Sequence, residues 1–243
     1  ERRMMNPKSS DKFFYKSYLD KLNNTISAMA SIQMEQQAQE QAFGIMFWGN
    51  SSVGKSWVAP QLIQWLLKVN GYPSAPGNIV IYNTSSQYDD QIDNNTFGIL
   101  LDDLANGKVG KGGANQRRTS DLVIALISTV AQPATKANVS EKGKVLIRSK
   151  VVVGTTNNRE LNAGQESHNQ ASVRRRFKYE AEWVVKDRYC VEGGSTEIDP
   201  EKVKAAYPDT SFPDAWHIYV TKCYIVDNGK SSGKGFEMRP VLS

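Results

Sequence analysis

Eight consecutive residues, Gly49-Asn50-Ser51-Ser52-Val53-Gly54-Lys55-Ser56, constrain the fold of this chain more than anything else in it. They fit the phosphate-binding loop G-x-x-x-x-G-K-[ST] throughout. Average residue frequencies would produce such a match in a chain of this length only about one time in a hundred. The glycines let the backbone wrap so that successive N–H groups point into one concavity, which is an anion site. Lys55 is then placed to reach β- and γ-phosphates, and the Ser56 hydroxyl to ligate Mg²⁺. The motif needs a strand before it and a helix after it, and the flanks supply both. Gly44-Ile45-Met46-Phe47-Trp48 reads as a short buried strand. Trp57-Val58-Ala59 and Gln61-Leu62-Ile63-Gln64-Trp65-Leu66-Leu67 read as a helix, with Pro60 close enough to its start to be tolerated. The competing reading is a glycine turn that binds nothing.

With 243 residues the chain can bury a sizeable core as one large domain, or as one domain with an N-terminal appendage. Hydrophobic residues make up 40% and charged residues 23%, as in an ordinary globular protein. No apolar run approaches the roughly 20 residues of a membrane span. The charged start is not followed by an apolar stretch, so no signal peptide is expected. A start at Glu1 instead of Met suggests a piece of something longer, and a membrane anchor would then lie outside it. The net charge of +5 permits nucleic-acid binding without demanding it. Cys190 and Cys223 stand far apart without C-x-x-C spacing or histidine partners, which argues against a zinc site or a disulfide and for a reducing compartment.

From Phe14 to about Gln41 the pattern is helical, with Tyr15, Tyr18, Leu22, Ile26 and Met29 at three- and four-residue steps. Its polar face is not dominated by Lys and Arg, so a helix packed on its own domain is favoured over an oligomerisation or membrane-surface helix. After the turn-rich Tyr72–Asn78, strands are expected at Ile79–Tyr82, Phe97–Leu101 and Lys150–Gly154, with a buried helix over Asp121–Val130. Short apolar strands separated by helix-length segments predict an α/β fold with a central, mainly parallel sheet flanked by helices. Phe177, Tyr179, Ala181, Trp183 and Val185 alternate with polar residues as a half-exposed strand. A short helix near Pro200–Ala206, a late strand from Trp216 to Val226 and a Gly- and Ser-bearing tail from Asn228 complete the chain. The organisation expected is an N-terminal helical segment (1–42), a P-loop ATPase domain (43–190) and a C-terminal extension packed on it (191–243).

Asp102-Asp103 directly follows the apolar run Ile99-Leu100-Leu101. Carboxylates at a strand end beside a phosphate loop can hold Mg²⁺ and polarise an attacking water. Asp102 is assigned to the metal with Ser56 and Asp103 to the base, with the reverse left open; a helix cap or turn is the bland alternative. Asn157, in Thr155-Thr156-Asn157-Asn158, could bond both a γ-phosphate oxygen and the attacking water, whereas Asn and Thr also simply end strands. Arg174-Arg175-Arg176 would by default be a solvated patch, but beside an ATPase core it could neutralise a phosphoryl group on a neighbouring subunit. Two basic segments, Gly107–Arg118 and Lys136–Lys144, are either exposed loops or lines of contact for a phosphate backbone.

Together these elements resemble the superfamily-three helicases, and most closely the replication ATPases of picornavirus-like positive-strand RNA viruses. The resemblance runs from about Gly44 to Tyr179. It rests on Gly49–Ser56, Tyr88-Asp89-Asp90-Gln91, Ile99–Leu104, Pro133-Ala134 through Glu141-Lys142-Gly143, Val153–Asn157 and Arg175-Arg176-Phe177, in compact order. It implies an AAA+-like core, a homo-oligomeric ring (a hexamer), ATP hydrolysis with Mg²⁺, and single-stranded RNA in or near a central pore. It puts Lys55 and Ser56 on phosphate and metal, Asp102 on Mg²⁺, Asn157 as sensor and Arg175 with Arg176 as the finger pair, Arg174 being one arginine more than the pattern needs. The hairpin around Lys142-Gly143-Lys144 falls at the pore loop, so Lys136, Lys142 and Lys144 are the candidate RNA contacts. No cysteine-rich segment follows the arginines, unlike the enterovirus branch, which suggests a dicistrovirus- or marine-virus-like relative. The implied setting is the host cytoplasm at membrane-bound replication sites, with any membrane contact made by a segment outside this chain. The rivals are a cellular AAA+ ATPase that remodels protein or DNA, and a non-enzymatic RNA-binding scaffold.

Overall fold

A computed structural model of the chain describes residues 9–36, 39–82, 84, 86–105, 118–163, 170–209, 212–227 and 234–241. The strands among them are β1 (Phe43–Trp48), β2 (Ile79–Tyr82), β3 (Gly98–Leu101), β4 (Gln132–Pro133), β5 (Leu146–Ile147), β6 (Val151–Thr156), β7 (Tyr179–Val185), β8 (Trp216–Asp227) and β9 (Lys234–Pro240). The α-helices are α1 (Ser9–Gln36), α2 (Lys55–Val69), α3 (Thr119–Leu126), α4 (Gln170–Arg174) and α5 (Pro200–Ala206).

One seven-stranded sheet runs in the order β2-β3-β6-β1-β7-β8-β9. The first five are parallel neighbours, and β8 and β9 add on antiparallel. Every residue of β3 and β6 is buried, as strands covered on both faces require. On one face α2 lays Val58, Ala59, Ile63 and Leu67 against Phe47, Leu100 and Val153. Gly98 opens β3 because α2 comes so close there: a Cβ at that position would stand 2.3 Å from Ile63 Cγ2. On the other face Leu122, Val123 and Leu126 of α3, with Val173 of α4, pack against Met46, Ile99, Leu101 and Val152. Because β1, β3 and β6 are parallel and adjacent through β6, their C-terminal ends lie along one edge of the sheet. That edge is where open α/β sheets place ligands.

Five expectations change. The N-terminal helix ends at Gln36, and residues 39–42 are not helical. It is also not packed on its own domain: Phe14, Tyr15, Tyr18, Leu22, Ile26 and Met29 are all exposed. The half-exposed strand is in fact interior, lying between β1 and β8, and its outward-facing Glu180 is fully buried. The C-terminal residues do more than pack on the core, because β8 and β9 extend the same sheet, and part of the tail is strand β9. The predicted buried helix exists but ends at Leu126. Among the described residues no helix is long and apolar enough to cross a membrane.

Candidate functional site

Between β1 and α2 the chain turns through Gly49 (φ 150°) and Gly54 (φ 88°), conformations glycine supplies at little cost, and through Ser52, a non-glycine held at φ 57°. Gly54 caps α2 without a side-chain hydrogen bond, and the first turn holds no acidic residue. The leading amides of α2 are therefore left for an anion. Lys55 folds across the loop: its Nζ donates to Gly49 O (3.0 Å), Asn50 O (2.6 Å) and Asn157 Oδ1 (2.9 Å). Burial lowers its pKa below the ordinary lysine value, and the charges of Asp103 and Asp102 partly oppose that shift.

Strand register brings the acids to the same place. Leu101 pairs with Gly154 and Trp48 with Thr156, so the next residues, Asp102, Thr155, Gly49 and Asn157, cluster at the edge. Asp102 Oδ1 accepts from Ser56 Oγ and from Thr155 Oγ1, each at 2.6 Å. Thr155 Oγ1 in turn accepts the Asp103 N–H at 3.0 Å. Asp103 is exposed and left-handed at φ 52°, a conformation Asp tolerates better than most residues. A hydroxyl and a carboxylate oxygen in contact form the hard-oxygen set that Mg²⁺ takes, with water completing its shell, so these residues fit the ion. Thr155 orients both acids and was named in the sequence only as part of a strand end; the register partner of Leu101 lies just before it, which is the signal that marks it.

The outer wall of the loop comes from far downstream. Trp216 Nε1 donates to Val53 O (2.6 Å), the Ile198 amide to Ser52 O (3.0 Å), and Asn50 Nδ2 to Thr196 Oγ1 (3.0 Å). A cavity of about 510 Å³ lies between the loop and residues 182–196; Asn50, Asn157, Glu182 and Glu192 are among those lining it.

The three arginines divide. Arg174 is buried and gives Nη2 and Nε to Glu180 Oε1 (2.6 and 3.2 Å) and Nη1 to Glu160 (3.1 Å), while Arg159 Nε holds the other oxygen of Glu180 at 3.0 Å. It is therefore an internal clamp. Arg176 is half-buried and donates to Ile127 O at 2.9 Å; burial and the neighbouring charge of Arg175 lower its pKa. Arg175 is exposed. Arg175 and Arg176 sit at the N-terminal end of β1, where the Lys178 amide donates to Gly44 O, while the Arg174 guanidinium reaches Glu160 beyond the C-terminal end of β6. The protomer's own phosphate loop begins five residues further along the strand, about 16 Å at the usual rise.

Residues 132–147 form the expected hairpin-like excursion, closed by the antiparallel pair β4 and β5. Its base is stitched to residues 89–92 through the Asp89 and Thr135 backbones (2.7 Å) and the Ala137 amide to Asp90 Oδ1 (2.9 Å). Lys136 does not face solvent. It is 3% exposed, and its Nζ donates to Asp90 O and Ile92 O. Its assignment as an RNA contact is thus overturned, because its charge is spent on buried carbonyls. Lys142 is exposed at the tip and Lys144 half-exposed beside it. Lys136→Ala is expected to lower stability by about 1–3 kcal/mol while leaving single-stranded RNA affinity within about twofold, measured by denaturation and fluorescence anisotropy. Loss of RNA binding at unchanged stability would restore it as a contact. Of the other basic segment, Gly107–Arg117 lies outside the described residues.

Fold and site together define an α/β domain of the P-loop type. Residues 45–158, just under half of the chain, match the model of the RNA helicase family. The match is consistent with a superfamily-three helicase; it spans the phosphate loop, Asp102-Asp103, the hairpin and Asn157, and stops before the arginines. No curated protein matches the chain.

Proposed function

We propose that this chain hydrolyses ATP and couples hydrolysis to remodelling of single-stranded RNA in viral genome replication, as a ring of identical subunits at membrane-bound sites in the host cytoplasm. The observation that carries the reading is the convergence of Lys55, Ser56, Asp102 and Asn157 within hydrogen-bond reach at one sheet edge. The loop amides and Lys55 bind the phosphates. Ser56 and Asp102 would hold Mg²⁺, which would supply charge neutralisation on the phosphate oxygens. Asp103, exposed beside them, accepts the proton of the attacking water, and the Asn157 amide orients that water. Thr155 holds the Asp102 carboxylate and the Asp103 backbone in place through one hydroxyl.

The arginines at the opposite end of β1 cannot serve their own nucleotide, which supports a finger acting on a neighbour. Arg175 is the freer of the pair. Lys142 and Lys144 on the hairpin are the RNA contacts of this reading. The test is the ATPase rate with RNA, DNA or unfolded protein added. Stimulation by RNA alone is expected; stimulation by DNA or protein instead would favour a cellular AAA+ remodeller. Arg175→Ala subunits are expected to be inactive alone and to regain activity when mixed with Lys55→Ala subunits, whose finger is intact. No recovery in demonstrably mixed rings would end the trans assignment.

A further inference from the structure

Trp57 follows Ser56 directly, yet its indole stays 50% exposed, and Phe212 from the C-terminal extension is 49% exposed. Both rings pack against the buried Trp216, with centroids at 6.2 and 6.1 Å. Trp216 itself is tied to the loop through Val53, and a Cβ on Gly54 would meet its ring at 3.1 Å. Two large aromatic faces are thus held open to solvent by a third that is anchored to the phosphate loop.

We propose that Trp57 and Phe212, backed by Trp216, are the platform on which the nucleobase of the triphosphate stacks. This rests on the triphosphate reading above and extends it to the nucleoside half of the site. Polarity along the loop decides between this platform and the 510 Å³ cavity. Asn157, the amide assigned to the γ-phosphate, lines the cavity, so the cavity marks the γ end. The base stands two phosphates and a ribose away, towards the residue after Ser56. The cavity also presents Glu182, Asp187 and Glu192, and its two tryptophans are already covered: Trp183 is 3% exposed and the Arg159 guanidinium lies 4.8 Å over the Trp48 ring. Phe212 carries no hydrogen-bonding atom and the indole N–H of Trp216 is already given to Val53, so of the three rings only Trp57 keeps an N–H to offer a base edge. The platform therefore reads ring faces more than ring edges, which every base offers. It favours the larger purines over pyrimidines and discriminates little between ATP and GTP.

The experiment compares binding of the non-hydrolysed analogue AMP-PNP and of inorganic tripolyphosphate, with Mg²⁺, to wild type, Trp57→Ala and Phe212→Ala by calorimetry. Both substitutions are at exposed rings, and tripolyphosphate reports whether the loop itself is intact. AMP-PNP affinity is expected to fall at least about fivefold in each variant with tripolyphosphate affinity unchanged. Unchanged AMP-PNP affinity in both variants, or equal loss for both ligands, overturns the platform. If wild type binds neither ligand, the triphosphate reading itself fails, which is a separate outcome.

Discussion

Lys55→Ala is expected to lower ATP turnover at least about a hundredfold while the protein still folds. Preorganised charge aimed at a developing anion is worth that much when one donor is removed. Lys55 is buried at the mouth of the loop, its ammonium within 3.0 Å of two loop carbonyls and of Asn157 Oδ1. No other described cation bonds that loop. Those carbonyls border the open edge of the sheet, so water can replace the lost hydrogen bonds, and the melting temperature should move by only a few degrees. Turnover by steady-state phosphate release within twofold of wild type would sink the nucleotide site as drawn.

The second large effect is on stability. Arg174→Ala is expected to cost about 3 kcal/mol, read by urea denaturation, because it strands Glu180 in the interior with Arg159 as its remaining counter-charge. Glu180 has no exposed side-chain surface and Arg174 only 7%. Breaking one side of a buried pair leaves an uncompensated charge, which costs more than the pair was worth intact. Arg175→Ala provides the contrast: an exposed side chain, unchanged stability, and lost turnover in the assembled ring. An Arg174→Ala protein that is stable but inactive would instead make Arg174 the finger and shift the register by one.

What was legible in the sequence was whatever is local. The phosphate loop declares itself in eight residues, and the strand before it and helix after it follow from a single change of period. Asp102-Asp103 was readable because it abuts an apolar run. Roles created by pairing distant segments were not readable. Thr155 matters only because β3 and β6 align, and Trp216 only because β8 begins beside the loop. Lys136 was read as surface because a charge in a loop normally is; its burial depends on carbonyls of Asp90 and Ile92, more than forty residues away. The strand through Tyr179 and Val185 was read as half-exposed for a related reason. Alternation along β7 tells which way a side chain points, not whether α4 and Arg159 cover that face. The apolar stripe of α1 was legible as a pattern, but a pattern does not say what lies against it.

The bond from Trp216 to Val53 joins residues 163 positions apart. At about 5–20 residues per second, a ribosome releases the loop about 8–33 s before the tryptophan that walls it. A nascent chain would thus expose a phosphate cradle lacking one side for that whole interval. The wall of the cradle is therefore completed only once β8 has been made, so order of synthesis sets the moment at which the loop is held on both sides.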